Sequence, residues 1–216
     1  MTSTATATNH QVRLARRPVG MPTRADWSFT AEPVVPPEAE GVLVKTLALS
    51  LDPAMRGWMN EGKSYIAPVA IDEVMRAGGI GTVVASQNPR FAVGDRVSGA
   101  LGVQEYALFA GKQIARGELV TIDLGLGTQT QWLNVLGMPG MTAYFGLLDV
   151  GQPKPGETVV VSGAAGAVGQ TVGSWQRSRA VARSASPAVR PSASGSSRSS
   201  ASTPASTTRP GRSRTA

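Results

Sequence analysis

The sequence predicts a mixed β and α/β fold, in which a small antiparallel β-barrel leads into the start of a dinucleotide-binding domain and a disordered tail. Three observations support this. Short apolar runs separated by turn residues fill most of the first 127 residues. A strand-like run followed by three glycines comes next, and the last stretch lacks Leu, Ile, Phe and Met. We divide the chain into a disordered N-terminus, a barrel domain, the incomplete start of a nucleotide-binding domain and a disordered tail, at residues 1–9, 10–127, 128–173 and 174–216.

Strand-like segments and turns alternate through the barrel domain. Residues 12–14 and 41–49 have strand character and are separated by the proline-rich segment EPVVPPEAE. A glycine pivot at residues 78–81 precedes a further strand, and two more strands are expected around the turn at Gly94 and Asp95. Strands spaced this closely, with turn residues between them, indicate a small and mostly antiparallel barrel.

From about residue 128 the apolar residues adopt helical spacing. Gly137, Pro139 and Gly140 interrupt that pattern, and a turn at residues 153–157 leads into a predicted strand at 158–161. A barrel that passes through helices into a nucleotide-type strand predicts two domains with a cleft between them.

The segment TVVVSGAAGAVGQTVG is typical of a buried parallel strand that passes through a glycine turn into a helix. Gly163, Gly166 and Gly169 would let the backbone turn tightly and approach a pyrophosphate, and the unpaired N–H groups of the helix start would bind its charge. The spacing is GxxGxxG instead of the usual GxGxxG, so a small-residue turn without a ligand is the alternative.

Charge is distributed unevenly, which limits what the net charge of +7 can mean. Residues 1–173 carry 13 Lys and Arg against 14 Asp and Glu, whereas the remaining residues carry eight Arg and no acid. There is no Cys and His10 is the one His, so disulfides and ordinary Cys/His zinc sites are excluded. No apolar run is long enough to span a membrane or form a signal peptide, so we expect a soluble cytoplasmic protein.

Stretches in one order along residues 9–173 carry a resemblance to a known family: RPVGMPTRADW, LSLDPAMRGWMN, KSYIAPVAIDEVMRAGGIGTVVAS, FAVGDRVSGALGVQEYA and LNVLGMPGMTAYFGLLDVGQPKPGETVVVSGAAGAVG. The chain resembles the medium-chain dehydrogenase/reductase superfamily, and within it the zinc-independent alkenal double-bond reductases related to leukotriene/prostaglandin reductase. The resemblance implies a GroES-like barrel that binds substrate, then a Rossmann domain, with NADPH in the cleft. It also implies hydride transfer from NADP(H) to the carbon–carbon double bond of an α,β-unsaturated aldehyde or ketone.

The resemblance further implies which residues form the site. Tyr65, in KSY, is a candidate wall or hydroxyl donor of the substrate pocket, and the catalytic acid is otherwise left open. Met138 and Thr142 would lie near the nicotinamide. The residues that would line the pyrophosphate are Gly163, Gly166, Ala167, Val168 and Gly169.

Several of these residues also have a purely structural interpretation. Met138 could be core packing, Thr142 a helix cap and Tyr65 an aromatic at the barrel edge. Arg56 is expected to form a structural ion pair instead of touching substrate. Ala54 stands where relatives usually carry Tyr, so no role for that ring is carried over.

The tail departs from the family pattern after Gly173. Its composition cannot bury enough apolar surface to offset the entropy of ordering, so we expect disorder. One explanation is a basic tail that binds nucleic acid or acidic partners. The other is a shifted reading frame in a GC-rich gene, because restoring one base from Ser174 permits a helix and strand sequence typical of a Rossmann continuation. On the second explanation, strand 158–161 lacks parallel neighbours.

The interpretation that follows is an NADP-dependent oxidoreductase by lineage, acting on a small enal or enone, with this chain a truncated product without measurable reductase activity. A quinone oxidoreductase of the same superfamily is the first alternative. The second is a barrel with a basic, nucleic-acid-binding tail, which the neutral core and the lack of a stacking-aromatic cluster in the tail argue against. The resemblance implies a homodimer, but its contact uses the domain that the tail replaces, so we do not expect one here. No membrane partner is expected.

Overall fold

The structure, a computed structural model, describes residues 7–178 and 182–186, with side chains as far as residue 175. A π-helical segment, Phe145–Gly151, and a 3-10 turn, Arg24–Asp26, accompany the elements named next. The strands are β1 (Thr8–Leu14), β2 (Trp27–Pro33), β3 (Val42–Leu49), β4 (Gly79–Ser86), β5 (Arg96–Gly99), β6 (Tyr106–Phe109), β7 (Leu119–Thr121), β8 (Thr158–Ser162) and β9 (Ala182–Ser186). The helices are α1 (Ala54–Trp58), α2 (Gly111–Ala115), α3 (Gln129–Trp132), α4 (Met138–Tyr144) and α5 (Ala167–Ser178).

The first seven strands build the GroES-like barrel. Strands β3 to β7 form an antiparallel sheet in the order β6-β3-β4-β5-β7, and β1 pairs antiparallel with β2. Isolated bridges from Gln11 to Gln104 and from Arg13 to Val74 attach β1 to the segments around the larger sheet. The predicted fold class, an antiparallel barrel followed by the start of a Rossmann unit, is confirmed.

The barrel encloses its own apolar core. Burying one large aliphatic or aromatic side chain contributes about 1.5–3 kcal/mol, so these clusters are the main source of barrel stability. The larger cluster lies inside the five-stranded sheet and contains Val42, Val44, Val83, Phe91, Val97, Leu101, Ala107, Phe109, Ile114 and Leu119. The smaller cluster lies under β1 and contains Leu14, Met59, Val69 and Met75, with Trp27, Met55, Trp58 and Val103 packed against it.

The strand predictions for the barrel need two corrections. The segment before Gly94 is a turn, because Gly94 has a φ of +98° and the Ala92 N–H donates to the Asp95 carboxylate at 2.8 Å. Both strands expected around this turn, β5 and β6, therefore follow it. Strands β2 and β7 are not among the predicted strands, because β2 lacks a clean alternation of buried and exposed residues and β7 has three residues.

The prediction that residues 1–9 are disordered is wrong for Thr8 and Asn9, which belong to β1. The Asn9 side chain pairs with the backbone of Tyr106 in both directions, donating from Nδ2 to the carbonyl and accepting from the N–H at Oδ1, each at 2.9 Å. A side-chain amide satisfied twice by one backbone residue fixes the strand there. Residues 1–6 lie outside the described residues.

Helix α4 begins at the residues expected to interrupt it. Gly137 is its N-cap, and Pro139 stands in its first turn, where the missing N–H of proline has no helical partner to lose. A Cβ on Gly140 would overlap the carbonyl oxygen of Val135, so close backbone packing requires a glycine there. The interruptions of the pattern therefore mark the start of α4.

Strands β8 and β9 with α5 form a parallel βαβ unit, in which Thr158 lies opposite Ala182 and Ser162 opposite Ser186. The expectation that strand 158–161 lacks a parallel neighbour is therefore wrong. Helix α5 continues past Ser174 to Ser178 and β9 covers residues 182–186, and the rest of the tail predicted to be disordered lies outside the described residues.

Two physical reasons explain why the unit extends past Gly173. The Ser174 hydroxyl donates to the Gln170 carbonyl at 3.0 Å, and the Trp175 ring meets Tyr144 edge-on at 5.6 Å, which holds α5 against α4. A strand ladder is made by backbone groups, so the polar sequence of β9 can still pair with β8.

Candidate active site

A cleft of about 470 Å³ lies between the barrel and the segment that leads into α4. Glycines of β4 and β5 form part of its wall, and aromatic and apolar side chains form the rest. Tyr65 and Met138, two of the predicted site residues, both line this cleft although they come from different regions of the chain. Its principal lining residues are Trp58, Tyr65, Gly79, Trp132, Met138 and Pro139.

The glycine wall of the cleft follows from how the sheet is packed. Gly79 of β4 pairs with Gly99 of β5. A Cβ at Gly79 would lie 2.7 Å from the Ala48 carbonyl oxygen, and one at Gly99 would lie 2.7 Å from the Glu118 carbonyl oxygen. Because both obstacles are backbone atoms, these positions require glycine.

Tyr65 lies in the irregular segment after α1 and not at a strand edge, as its structural alternative supposed. Its side chain is 82% exposed, and its Oη accepts a hydrogen bond from the indole Nε1–H of Trp58 at 2.9 Å. Arg56, on the preceding helix, forms no ion pair among the described residues. Its guanidinium donates to the carbonyls of Pro18 and Gly20, so its role is structural although the expected ion pair is wrong.

Met138 and Thr142 lie one turn apart on α4. Met138 is 75% exposed and lines the cleft, which excludes core packing as its role. The Thr142 hydroxyl donates to the Met138 carbonyl at 2.8 Å, inside α4, so it does not cap the start of a helix. Of these two candidates, Met138 is the one whose side chain faces the cleft.

The glycine turn joins β8 to α5 and contains the remaining candidates. Gly163 has a φ of +61°, and no atom lies within 4 Å of a Cβ built there. A Cβ on Gly166 would meet the Gly163 carbonyl oxygen at 3.2 Å. A Cβ on Gly169 would meet the same oxygen at 2.5 Å, so Gly169 is needed for the helix to pack on the turn.

The start of α5 completes this turn. Ala167, Val168 and Gly169 are the first residues of the helix, whose opening N–H groups have no partner within a helix. The dipole of the helix adds partial positive charge at this end. The turn can therefore accept an anionic group, and the space beside Gly163 leaves room for one.

The perturbed carboxyls lie outside the cleft. The pKa of Asp26 is lowered by the hydrogen bond from the Thr23 N–H and by the Arg16 guanidinium at 2.6 Å. The pKa of Glu105 is lowered by its contact with His10, whose Nδ1 lies 2.7 Å from the carboxylate. Over the described residues, no three His, Asp or Glu side chains are arranged to hold a metal ion. Asp26 and Glu105 therefore make contacts within the barrel and do not line the cleft.

Trp58 and Trp132 line the cleft and are absent from the predicted site. Trp58 lies in LSLDPAMRGWMN, seven residues before Tyr65, and no spacing rule connects the two. The Trp132 indole N–H donates to the Asp123 carbonyl at 2.9 Å, which fixes the ring in the wall. Trp58 and Trp132 end helices of five and four residues, which are too short to give a periodic signal, so the sequence alone could not find them.

Comparisons with known proteins agree with this arrangement. A family model described as the N-terminal domain of oxidoreductase matches residues 10–116. The NADPH-dependent curcumin reductase of Escherichia coli is 44% identical over 169 residues, which cover 76% of this chain and 46% of the reductase. The NADP(+)-dependent 2-alkenal reductase of Nicotiana tabacum is 40% identical over 174 residues, which cover 78% of this chain and 49% of that enzyme.

A solved structure extends the likeness to the fold. CurA from Vibrio vulnificus in complex with NADPH superposes with a TM-score of 0.71 at 42% identity, over 82% of this chain and 50% of CurA. The chain thus spans about half the length of the curated relatives it matches. No helix in the described part of the chain is both long and apolar enough to cross a bilayer.

Proposed function

Because the chain belongs to the medium-chain dehydrogenase/reductase superfamily, in the branch of the alkenal double-bond reductases, we propose that it carries the substrate cleft of an NADPH-dependent reductase. The proposed reaction reduces the carbon–carbon double bond of an α,β-unsaturated aldehyde or ketone. One observation carries this proposal: Tyr65 from the barrel and Met138 from α4 line the same cleft.

The proposed cofactor is NADP(H), on which the relatives named above depend. The N–H groups at the start of α5 and the open space beside Gly163 fit a pyrophosphate, and Gly166, Ala167 and Val168 would surround it. Met138 would face the nicotinamide, and Thr142 would act through its bond to the Met138 carbonyl. When bound, NADPH supplies the hydride.

Tyr65 is the proposed donor to the carbonyl oxygen of the substrate. Reduction of a conjugated double bond places negative charge on that oxygen as an enolate develops, and a preorganised donor stabilises the charge. Tyr65 is an exposed side chain that brings a hydroxyl to a mainly apolar cleft, which suits an enal or enone with one polar end. The apolar walls would hold the hydrocarbon part.

The test separates binding from turnover. We expect the purified chain to bind cinnamaldehyde in the cleft and to oxidise no NADPH when 2-nonenal is added, followed at 340 nm. Binding should fall in Tyr65→Phe and remain in the matched variant Tyr106→Phe, whose ring lies in β6 away from the cleft. Steady NADPH oxidation would overturn the expected inactivity, and failure to bind any enal or enone would overturn the proposed substrate class.

The other interpretations stay predictions. The quinone oxidoreductase of Pseudomonas syringae is 24% identical to this chain, which supports a shared fold and not a shared substrate. A panel of quinones and enals would distinguish a quinone reductase from an enal reductase. Nucleic-acid binding would depend on tail residues outside the described ones. The cytoplasmic location and the absence of a homodimer also remain predictions.

A further inference from the structure

We propose that Trp58 is a positioning residue that directs the phenol proton of Tyr65 into the cleft. The inference rests on the proposed function, because it explains how the Tyr65 hydroxyl that would donate to the substrate carbonyl is held in place. It concerns a hydrogen bond between two side chains of the cleft wall, from Trp58 Nε1 to Tyr65 Oη at 2.9 Å.

The direction of this hydrogen bond is fixed by chemistry. An indole N–H can donate and cannot accept, so the oxygen of Tyr65 must be the acceptor. The phenol carries one proton of its own, and that proton cannot point towards Trp58. It is left for a group on the open side of the ring, which is the cleft.

Little else holds the Tyr65 ring in place. The side chain is 82% exposed and belongs to an irregular segment, so packing does not select one rotamer. A free tyrosine on such a segment would sample several orientations and lose the entropy of that freedom when it met a substrate. The bond to Trp58 reduces this cost before the substrate arrives.

Trp58, in contrast, is anchored from three sides. It packs against the smaller core cluster of the barrel, and its carbonyl accepts from the Val69 N–H at 2.9 Å. The guanidinium of Arg76 lies 5.6 Å from the centroid of its ring, a cation–π contact. Arg76 also donates to the Ala67 carbonyl at 2.9 Å, which ties the segment containing Tyr65 to the same support.

These contacts form a chain of support from the barrel core through Trp58 to the hydroxyl of Tyr65. A positioned donor differs from a merely exposed one in its response to a carbonyl group. A cleft with either kind of donor would bind a hydrocarbon equally well. Only the cleft with a positioned donor would favour a ligand that has a carbonyl oxygen at the end next to Tyr65. The proposal therefore predicts a preference that depends on Trp58 and Tyr65 together.

The experiment compares two probes of the same skeleton, cinnamaldehyde and trans-β-methylstyrene, by calorimetric titration of the full chain. We expect cinnamaldehyde to bind about 3- to 10-fold more tightly, as one net hydrogen bond allows. Trp58→Phe keeps a smaller aromatic ring and loses the indole N–H donor, and it should abolish this preference as fully as Tyr65→Phe. The double variant should lose nothing further, because the two residues act as one unit.

A second readout reports the bond itself. The indole N–H signal of Trp58 in a ¹⁵N-correlated spectrum should shift in Tyr65→Phe and stay in place in Tyr106→Phe, with unchanged barrel signals confirming the fold. Retention of the preference by Trp58→Phe, or an indole signal indifferent to Tyr65→Phe, overturns the positioning role alone. Equal affinity of the unchanged chain for the two probes overturns the proposed donor, and the inference with it.

Discussion

The barrel and the segment that follows it bury their apolar side chains to very different degrees. In the barrel, Leu14 and Phe109 are 0% and 2% exposed. After residue 128, Phe145, Val150 and Val160 are 52%, 81% and 65% exposed. Both regions nevertheless form regular strands and helices.

Secondary structure and burial therefore have separate requirements in this chain. A strand or helix needs its own backbone partners, which β8, α5 and β9 supply to one another. Burial needs a second packed layer, and the barrel obtains one by curving its sheet around a core. In the βαβ unit only α5 packs on the strands, with α4 against α5, and large apolar side chains such as Val160 remain exposed.

The largest effect is expected from removing a buried ring. Phe109→Ala should lower the free energy of unfolding by about 3–5 kcal/mol, because it leaves a cavity in the barrel core. The matched change Phe145→Ala, at a half-exposed ring, should cost less than about 1 kcal/mol. Urea unfolding followed by circular dichroism measures both, and equal losses would contradict the difference in burial.

A steric change in the βαβ unit should rank next. Gly169→Ala places a Cβ 2.5 Å from the Gly163 carbonyl oxygen, and overpacking of this kind costs about 1–3 kcal/mol. We expect NADPH binding, measured by nicotinamide fluorescence, to be lost with it. Gly173→Ala is the control, since this residue lies later in α5 and no atom lies within 4 Å of a Cβ built there. If the two variants bound NADPH equally, the packing role of Gly169 would be wrong.

A smaller effect should appear in the barrel at acid pH. The folded state holds the pKa of Asp26 below its usual value of 3.8, so its stabilising contribution is present above that value and lost as the pH falls through the folded pKa. Asp26→Asn should therefore be less stable than the parent at pH 7, and the difference should shrink as the pH falls below 3.8 and through the folded pKa. A constant stability difference from pH 7 to pH 2 would show that the charge of Asp26 is not responsible.

The smallest effect is expected on the exposed strand face. Val160→Thr should change the unfolding free energy by no more than about 0.5 kcal/mol, because the side chain is already 65% exposed. The same substitution at Val97, which is fully buried, should cost about 1–3 kcal/mol through its unpaired hydroxyl.

The same contrast explains what could be predicted from the sequence. Strand β3 and the glycine turn follow from local patterns, namely an apolar run and three regularly spaced glycines. The resemblance implies a substrate pocket for Tyr65 and a place near the nicotinamide for Met138, and no local rule joins residues so far apart. Their shared cleft depends on the path of the chain between the barrel and α4.

The failures have physical causes in particular residues. The start of β9 looks like tail in its composition, yet its backbone pairs with β8. Asn9 follows a low-complexity stretch, and its order comes from Tyr106, a partner distant in sequence. Trp58 was missed as a site residue because its role lies in a single bond to an irregular segment. Each error reflects a tertiary contact that local composition does not encode.

Gly140 has a consequence for how this cleft can change over evolutionary time. Every single-nucleotide change in a glycine codon that alters the residue either adds a Cβ or ends translation, and a Cβ here would overlap the backbone oxygen of Val135. A single-nucleotide change therefore cannot give a mild substitution at Gly140, and neutral variation at this position is not expected. New substrate preferences must arise at neighbours such as Leu133 and Met138, whose side chains can vary while the glycine keeps α4 in place.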